Sequence, residues 1–354
     1  MKPAAISLFS GAGGLDLGFE EAGFEIRLCV DIDAHCCKTL SLNRPHWKVV
    51  QADISKLSTS EILSRAGLSV GYPVLYGGPP CQPFSTIGNR RALDDPRGAV
   101  VRDYIRIVKE SKPQIFVFEN VPGLASVDHG KVLSEILAAF SGIGYSTNKK
   151  ILNAANYGVP QTRKRLFILG SIDGFALDFP RGDYSEDGVS AKKWRTVRET
   201  MRMMKEEGWD IKRRDNMGFR HSEEMVKKMA MIKPGQNFWS LPLNLRPPCW
   251  RSGKHLGKDT FGRMELGKPA PTIRTCAYNP TKGKYIHPTE NRGLNTLEMA
   301  ALQTFPKNYH FDGGLIDVGR QIGDAVPPLL ASRIAHQVKK QIAQGPSQQV
   351  LVGY

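Results

Sequence analysis

The stretch Ala4-Ala5-Ile6-Ser7-Leu8-Phe9-Ser10-Gly11-Ala12-Gly13-Gly14-Leu15-Asp16-Leu17-Gly18-Phe19 decides the fold. A short apolar run breaks into small residues, and apolar residues then resume at helical spacing, which reads as buried strand, tight turn and helix. Glycines at such a turn let the backbone approach a ligand closely and leave the first helical N–H groups pointing at it. The dinucleotide fingerprint is excluded because Asp16 stands at its third glycine position, and the Lys-Ser/Thr pair of a P-loop is missing.

Outward from this unit the alternation continues to about residue 170. The runs 4–9, 26–30, 47–50, 74–76, 115–118 and 166–169 are rich in β-branched and aromatic residues and read as buried strands. Between them Val101, Tyr104, Ile105 and Val108 keep helical spacing, as do Leu133, Ile136, Leu137 and Phe140. Asp33 suits the N-cap of a helix running to Leu42. The pattern predicts an α/β protein with a doubly wound, mostly parallel sheet, whose ligands gather at the carboxyl ends of the strands. From about residue 178 to 285 periodicity fades while turn-formers (Pro234-Gly235, Pro242, Pro247-Pro248), Lys and Arg multiply. This predicts a separate, irregular recognition domain. Helical patterns return at 296–304 and 326–338.

Of the 354 residues 41% are hydrophobic and 23% charged, too apolar for a disordered chain. The net charge of +15, from 49 Lys and Arg against 34 Asp and Glu, calls for an anionic partner, nucleic acid ahead of a membrane surface. That surplus is local. Residues 191–290 hold 22 basic against 10 acidic side chains, an excess of 12 that leaves only 3 for the other 254 residues. The six cysteines show no CxxC spacing, which argues against a zinc site or a disulfide framework, and no metal is expected. No run approaches the roughly 20 apolar residues of a membrane span, so a cytoplasmic protein is expected.

Several strand ends carry chemistry. Asp31, about 20 residues beyond the glycine turn, stands where nucleotide-binding α/β folds place a carboxylate for ribose hydroxyls. Asp53-Ile54 offers a polar edge and an apolar face for an adenine ring. The run 74–76 opens into Gly77-Gly78-Pro79-Pro80-Cys81-Gln82-Pro83-Phe84-Ser85, which holds a cysteine rigidly between prolines where ligands bind. A thiolate there is a nucleophile. Glu119-Asn120-Val121 places a carboxylate on the same rim, and in Gln161-Thr162-Arg163-Lys164-Arg165 strand alternation puts both arginines on one face, reaching one site.

These motifs, in this order and over nearly the whole chain, resemble the DNA (cytosine-5) methyltransferases of bacterial restriction-modification systems. The resemblance assigns Phe9, Gly11, Ala12, Gly13, Gly14, Asp31, Ile32, Asp53, Ile54, Pro80, Val100, Asp324, Ala325 and Val326 to an S-adenosylmethionine site. Asp324 stands where the family usually has Asn. Arg263 and the segment Lys268-Pro269-Ala270-Pro271-Thr272-Ile273-Arg274 resemble the part that organises the recognition domain. In the family the chain end returns to the catalytic domain, which implies a catalytic domain over 1–180 plus 296–354, a smaller recognition domain over 181–295, and a last helix beside the first strand, completing the cofactor pocket. The implied catalytic set is Cys81, Glu119, Arg163 and Arg165. Cys81 attacks C6 of a cytosine flipped out of double-stranded DNA, and Glu119, kept protonated by burial, neutralises the charge that builds toward N3. The arginines share the O2 edge and the phosphate or cysteine surroundings, the division between them being left open. A monomer is expected, with a restriction endonuclease acting on the same sequence without stable complex. The alternative is a tRNA cytosine-5 methyltransferase on the same framework, a eukaryotic group whose Cys-Phe-Thr signature is missing here.

Overall fold

The computed structural model describes residues 2–80, 98–172, 174, 177–189, 191–246, 248–251 and 259–344. Two compact units emerge: Met1–Asn153 with Lys164–Gly182 and Pro328–Tyr354, and Ala154–Arg163 with Asp183–Pro327.

In the first unit β1 (Ala4–Leu8), α1 (Gly14–Glu21), β2 (Glu25–Asp31), α2 (Ala34–Asn43), β3 (Val49–Gln51), α3 (Thr59–Ala66), β4 (Val74–Gly77), α4 (Ala99–Ser111), β5 (Ile115–Asn120), α5 (Lys131–Gly142) and β6 (Ser146–Asn153) follow the expected alternation. After β7 (Gln161–Thr162), which belongs to the second unit, β8 (Lys164–Ser171) completes a seven-stranded sheet of order β3-β2-β1-β4-β5-β8-β6. Residues 4–77 and 115–120 supply only parallel pairings among themselves, so the loops after β1, β2, β3, β4 and β5 open on one rim.

Two features differ from expectation. Strand β6 carries no alternating pattern because it lies at the sheet edge with Lys149, Lys150 and Ile151 exposed. It pairs antiparallel with β8, which consequently runs against β5 as well, with Glu119 opposite Phe167 and Asn120 opposite Leu166. The reversal is useful. It brings the start of β8, with Arg165, to the rim where β5 ends.

Asp33 caps α2 as expected, accepting from the N–H groups of His35 and Cys36. The core is built from Ile6, Leu8, Leu28, Val30, Leu75, Tyr104, Phe116, Phe118 and Phe140, all buried.

The second unit has little sheet. Strands β9 (Tyr184–Ser185) and β10 (Lys192–Lys193) pair with each other, and β7 pairs with β11 (Ala270–Pro271). Its helices are α6 (Val197–Glu206), α7 (Glu223–Met231), α8 (Pro248–Arg251), α9 (Thr296–Leu302) and α10 (Leu315–Asp324). Residues 296–327, expected with the catalytic domain, pack here instead. Gln161 Nε2 donates to Leu302 O at 2.9 Å and Gln303 Oε1 at 2.7 Å, and Thr296 Oγ1 donates to Asp215 O at 2.6 Å. Met229, Ile232, Phe238, Leu241, Phe261 and Ile286 form one small core of this unit, and Met204, Trp209, Leu297 and Ala301 another.

The chain returns to the first unit as α11 (Pro328–Gln344). Rather than lying beside β1, it packs on α1, the helix that follows β1. A Cβ on Gly18 would lie 2.4 Å from Ala331 Cβ, so only glycine permits this approach. No helix among the described residues is long and apolar enough to cross a membrane.

Candidate active site

The turn after β1 is shaped by backbone that side chains rarely adopt. Phe9 has φ +56°, Gly11 +54° and Gly13 +81°. The first two glycine roles differ: a Cβ on Gly11 would meet nothing within 4 Å, so open space lies beside it, whereas Gly13 is the N-cap of α1 and offers no side-chain hydrogen bond there. Ala12 and Gly14 are buried beneath the turn. Asp31, at the end of β2, faces the turn directly. Its Oδ2 accepts the Gly11 N–H at 2.7 Å and its Oδ1 the Asp33 N–H at 2.8 Å. Burial raises this carboxyl, and the two N–H donors pull it back.

Ile32, next to it, is 67% exposed, an apolar face held open beside a carboxylate. Asp53 caps the short 3-10 turn Ile54–Lys56 and accepts from Ser55 N and Oγ, while Ile54 is buried in the core. Of the two apolar candidates at these strand ends, Ile32 is therefore the exposed one. An open turn, a carboxylate with unused lone pairs and an exposed apolar side chain fit a ligand with a ribose and a flat base.

Further along the rim, Arg165 Nε lies 3.0 Å from Glu119 Oε1, with both side chains largely buried. The carboxylate rests on Gly78: a Cβ there would fall 2.5 Å from Glu119 Oε2. Asn120 Nδ2 donates to Pro79 O at 3.0 Å, tying the loop after β4 to the end of β5. Pro80 is exposed, and Val100 is half-buried in the first turn of α4. Cys81 lies outside the described residues.

Arg163 departs from the sequence reading. The strand breaks between β7 and β8, so alternation does not carry from Arg163 to Arg165. Arg163 is fully buried in the second unit, where Nη1 donates to Ile273 O at 2.9 Å and Nη2 to Gly323 O and Asp324 O at 2.7 and 3.3 Å. The Gly323 and Asp324 carbonyls end α10 and begin the turn holding Asp324, Ala325 and Val326, where Gln303 Nε2 also donates to Ala325 O at 3.2 Å.

Arg263 does the same work for the other half of that unit. Its five N–H groups meet Ile232 O, His287 O, Glu290 O, Met229 O and Asn291 Oδ1, all at 2.6 to 2.7 Å.

A family model for C-5 cytosine-specific DNA methylases matches residues 4–340. The chain belongs to this family. The Type II methyltransferase M1.HphI of Haemophilus parahaemolyticus is 37% identical over 347 residues, spanning 96% of this chain and 87% of that one. The Type II methyltransferase M.PspPI of Psychrobacter sp. is 33% identical over 349 residues, spanning 96% and 80%. Among solved structures, Dnmt2 methyltransferase of S. pombe superposes with a TM-score of 0.66 at 18% identity, covering 96% of this chain and 99% of that one, which speaks to the fold.

In this cytosine-5 DNA methyltransferase, two rim residues escaped the sequence reading as site members. Gly78 leaves room for the Glu119 carboxylate, and Asn120 holds the Pro79 carbonyl. The paired glycines before the prolines and the amide directly after Glu119 were the available signals. Among the described residues no group of acidic, His or Cys side chains is arranged to hold a metal.

Proposed function

We propose that this methyltransferase transfers a methyl group to C5 of a cytosine flipped out of a specific double-stranded DNA sequence, through a covalent bond between Cys81 and C6. S-adenosylmethionine supplies the methyl group from its sulfonium. The glycine turn 9–14 would hold that donor against its backbone, Asp31 would accept ribose hydroxyls on the lone pairs left by Gly11 and Asp33, and Ile32 would offer an apolar face to the base. Within the same unit Asp53, Ile54, Pro80 and Val100 complete the set.

C5 of cytosine is too weak a nucleophile until electrons enter the ring at C6, the task of the Cys81 thiolate. In its protonated form Glu119 gives a proton to N3 as negative charge builds there and is left as the carboxylate that Arg165 holds through Oε1; Arg165 also reaches the O2 edge. A base then removes the C5 proton, and elimination frees Cys81. Arg163 serves as a brace that shapes the Asp324 turn through its carbonyls, rather than as a group that touches the base.

The second unit is read as the DNA-recognition part, since it carries the local surplus of basic side chains. On its surface Lys192 Nζ and the Arg195 guanidinium each lie 5.9 Å from the Tyr184 ring centre, an arrangement suited to binding phosphate. The enzyme is read as a monomer that shares its target sequence with a restriction endonuclease, with no stable complex between the two proteins.

The observation that carries this reading is the Glu119–Arg165 pair resting on Gly78, at the rim where the thiol-bearing loop begins. Bisulfite sequencing of DNA from cells expressing the protein tests it. Protected cytosines at one position of one short sequence are expected. DNA without protection in any context contradicts it, and protection confined to tRNA would move the substrate to RNA.

A further inference from the structure

Beneath the glycine turn lies a polar pair that the reaction as described does not use. Asp16, in the first turn of α1, is fully buried, and its Oδ1 accepts the Tyr76 hydroxyl at 3.0 Å and the Cys29 thiol at 3.5 Å. Tyr76, on β4, is also fully buried, and its ring stacks on Phe19 of α1 with centroids 3.9 Å apart and planes at 17°. Nearby, Ser10 of the turn donates to Ser7 Oγ of β1 at 2.8 Å. One helix is thereby joined through side chains to a strand that is not its chain neighbour.

Burial drives the Asp16 carboxyl up to about 6, against the pull of Ser7, Tyr76 and Cys29. An apolar side chain of similar size would fill this space without that penalty, so the carboxylate contributes little to stability by itself. What it supplies is direction. Asp16 stands five positions after Gly11, and Tyr76 two positions before Gly78, on which the Glu119 carboxylate rests. A shift of α1 along β4 would separate the cofactor turn from the Glu119 rim, and the hydrogen bond opposes such a shift more specifically than ring stacking does.

We propose that Asp16 and Tyr76 are positioning residues for methyl transfer, their hydrogen bond setting the glycine turn in register with the Gly78–Glu119 rim. This rests on the reading that the turn 9–14 holds the methyl donor. Neither residue touches the reacting atoms; both act through the turn and the strand end they join.

The test uses Tyr76→Phe, which removes one atom and keeps the stack, with Asp16→Leu and Asp16→Asn beside it. Binding of S-adenosylhomocysteine is measured by calorimetry and methyl transfer in single turnover, well below each variant's melting temperature. Tyr76→Phe and Asp16→Leu are expected to slow the single-turnover rate about tenfold and to weaken binding severalfold, while Asp16→Asn, which still offers Oδ1 to Tyr76, recovers most of both. Lower melting temperatures with unchanged rate and binding would show a merely structural pair and overturn the proposal. Should Asp16→Leu fail to fold, Tyr76→Phe decides alone. Wild-type protein that does not bind S-adenosylhomocysteine would instead remove the reading of the turn, and the proposal with it.

Discussion

The two units satisfy their main-chain carbonyls by different means. In the first, seven strands do so through a sheet, and the side chains proposed to carry the chemistry sit at its rim. In the second the described strands are two residues long, and two buried arginines take the place of the ladder. Arg163 reaches carbonyls 110 to 161 positions away, and Arg263 gathers five acceptors from segments on both sides of it in the chain. Arg165, only two positions from Arg163, does neither; it holds a carboxylate. One residue type thus serves as scaffold between distant segments of irregular chain and as a carboxylate's partner at a strand end, where its one carbonyl acceptor, Lys164 O, is its chain neighbour.

The comparison breaks if chemistry does not reside in the sheet-built unit. Glu119→Gln keeps the shape beside Gly78 but cannot transfer a proton, and it is expected to slow methyl transfer by about a hundredfold to ten-thousandfold while far-UV circular dichroism and melting stay near wild type. An unchanged rate would mean that another group activates the ring.

It sharpens if the arginine brace can be removed selectively. Arg263→Ala leaves four carbonyls and one amide without their donor and should destabilise the second unit by about 3 to 5 kcal/mol. Hydrogen exchange should rise around Met229, Ile232 and Ile286 and remain slow in β1, β4 and β5. Arg263→Lys, with three donors from one point, should rescue little. Uniform loss of protection in both units would contradict separate scaffolding.

Asp16 gives a pH signature that belongs to the first unit. Its carboxyl is raised from 3.8 to about 6 on folding, so its neutral form favours the folded state. That favour is complete below pH 3.8 and disappears as pH rises through 6, a change of about 3 kcal/mol between the extremes. Asp16→Asn should therefore gain stability relative to wild type between pH 4 and about pH 7 in urea unfolding, whereas a difference independent of pH would contradict the buried carboxylate.

The smallest effect concerns the second unit's surface. Replacing the exposed Lys192, Lys193 and Lys212 by Gln should weaken DNA binding modestly and flatten its salt dependence by about 0.9 in the log–log slope for each phosphate that is no longer neutralised. S-adenosylhomocysteine binding should not change.

How legible each unit was follows from the same contrast. The strands of the first unit alternate with amphipathic helices, and periodicity placed Phe9 to Gly14, Asp31 and Glu119 at strand ends, where they are. Strand β6 escaped because an exposed edge needs no apolar face, and the antiparallel course of β8 followed from that missing neighbour. In the second unit α6 went unread, since 178–285 read as irregular; the capping box of Thr196 with Glu199 that starts it stands against a polar background. Arg163 and Arg263 bond mainly to backbone, which carries no residue-type signature, so no local pattern could reveal those partners. Asp16 was visible as an exception to a glycine motif, but its partner Tyr76 lies 60 positions away.

The central claim is a covalent reaction through Cys81 at a rim that holds Glu119 and Arg165. An oligonucleotide carrying the methylated site, with fluorine at C5 of the target cytosine, tests it most directly. Fluorine cannot leave as a proton does, so the step that frees Cys81 is blocked after methyl transfer. With S-adenosylmethionine present, wild-type protein should form a complex that survives denaturing electrophoresis, and Cys81→Ala should form none. A wild-type enzyme that methylates the unmodified site yet leaves no such complex, or a Cys81→Ala variant that forms one, would contradict the account.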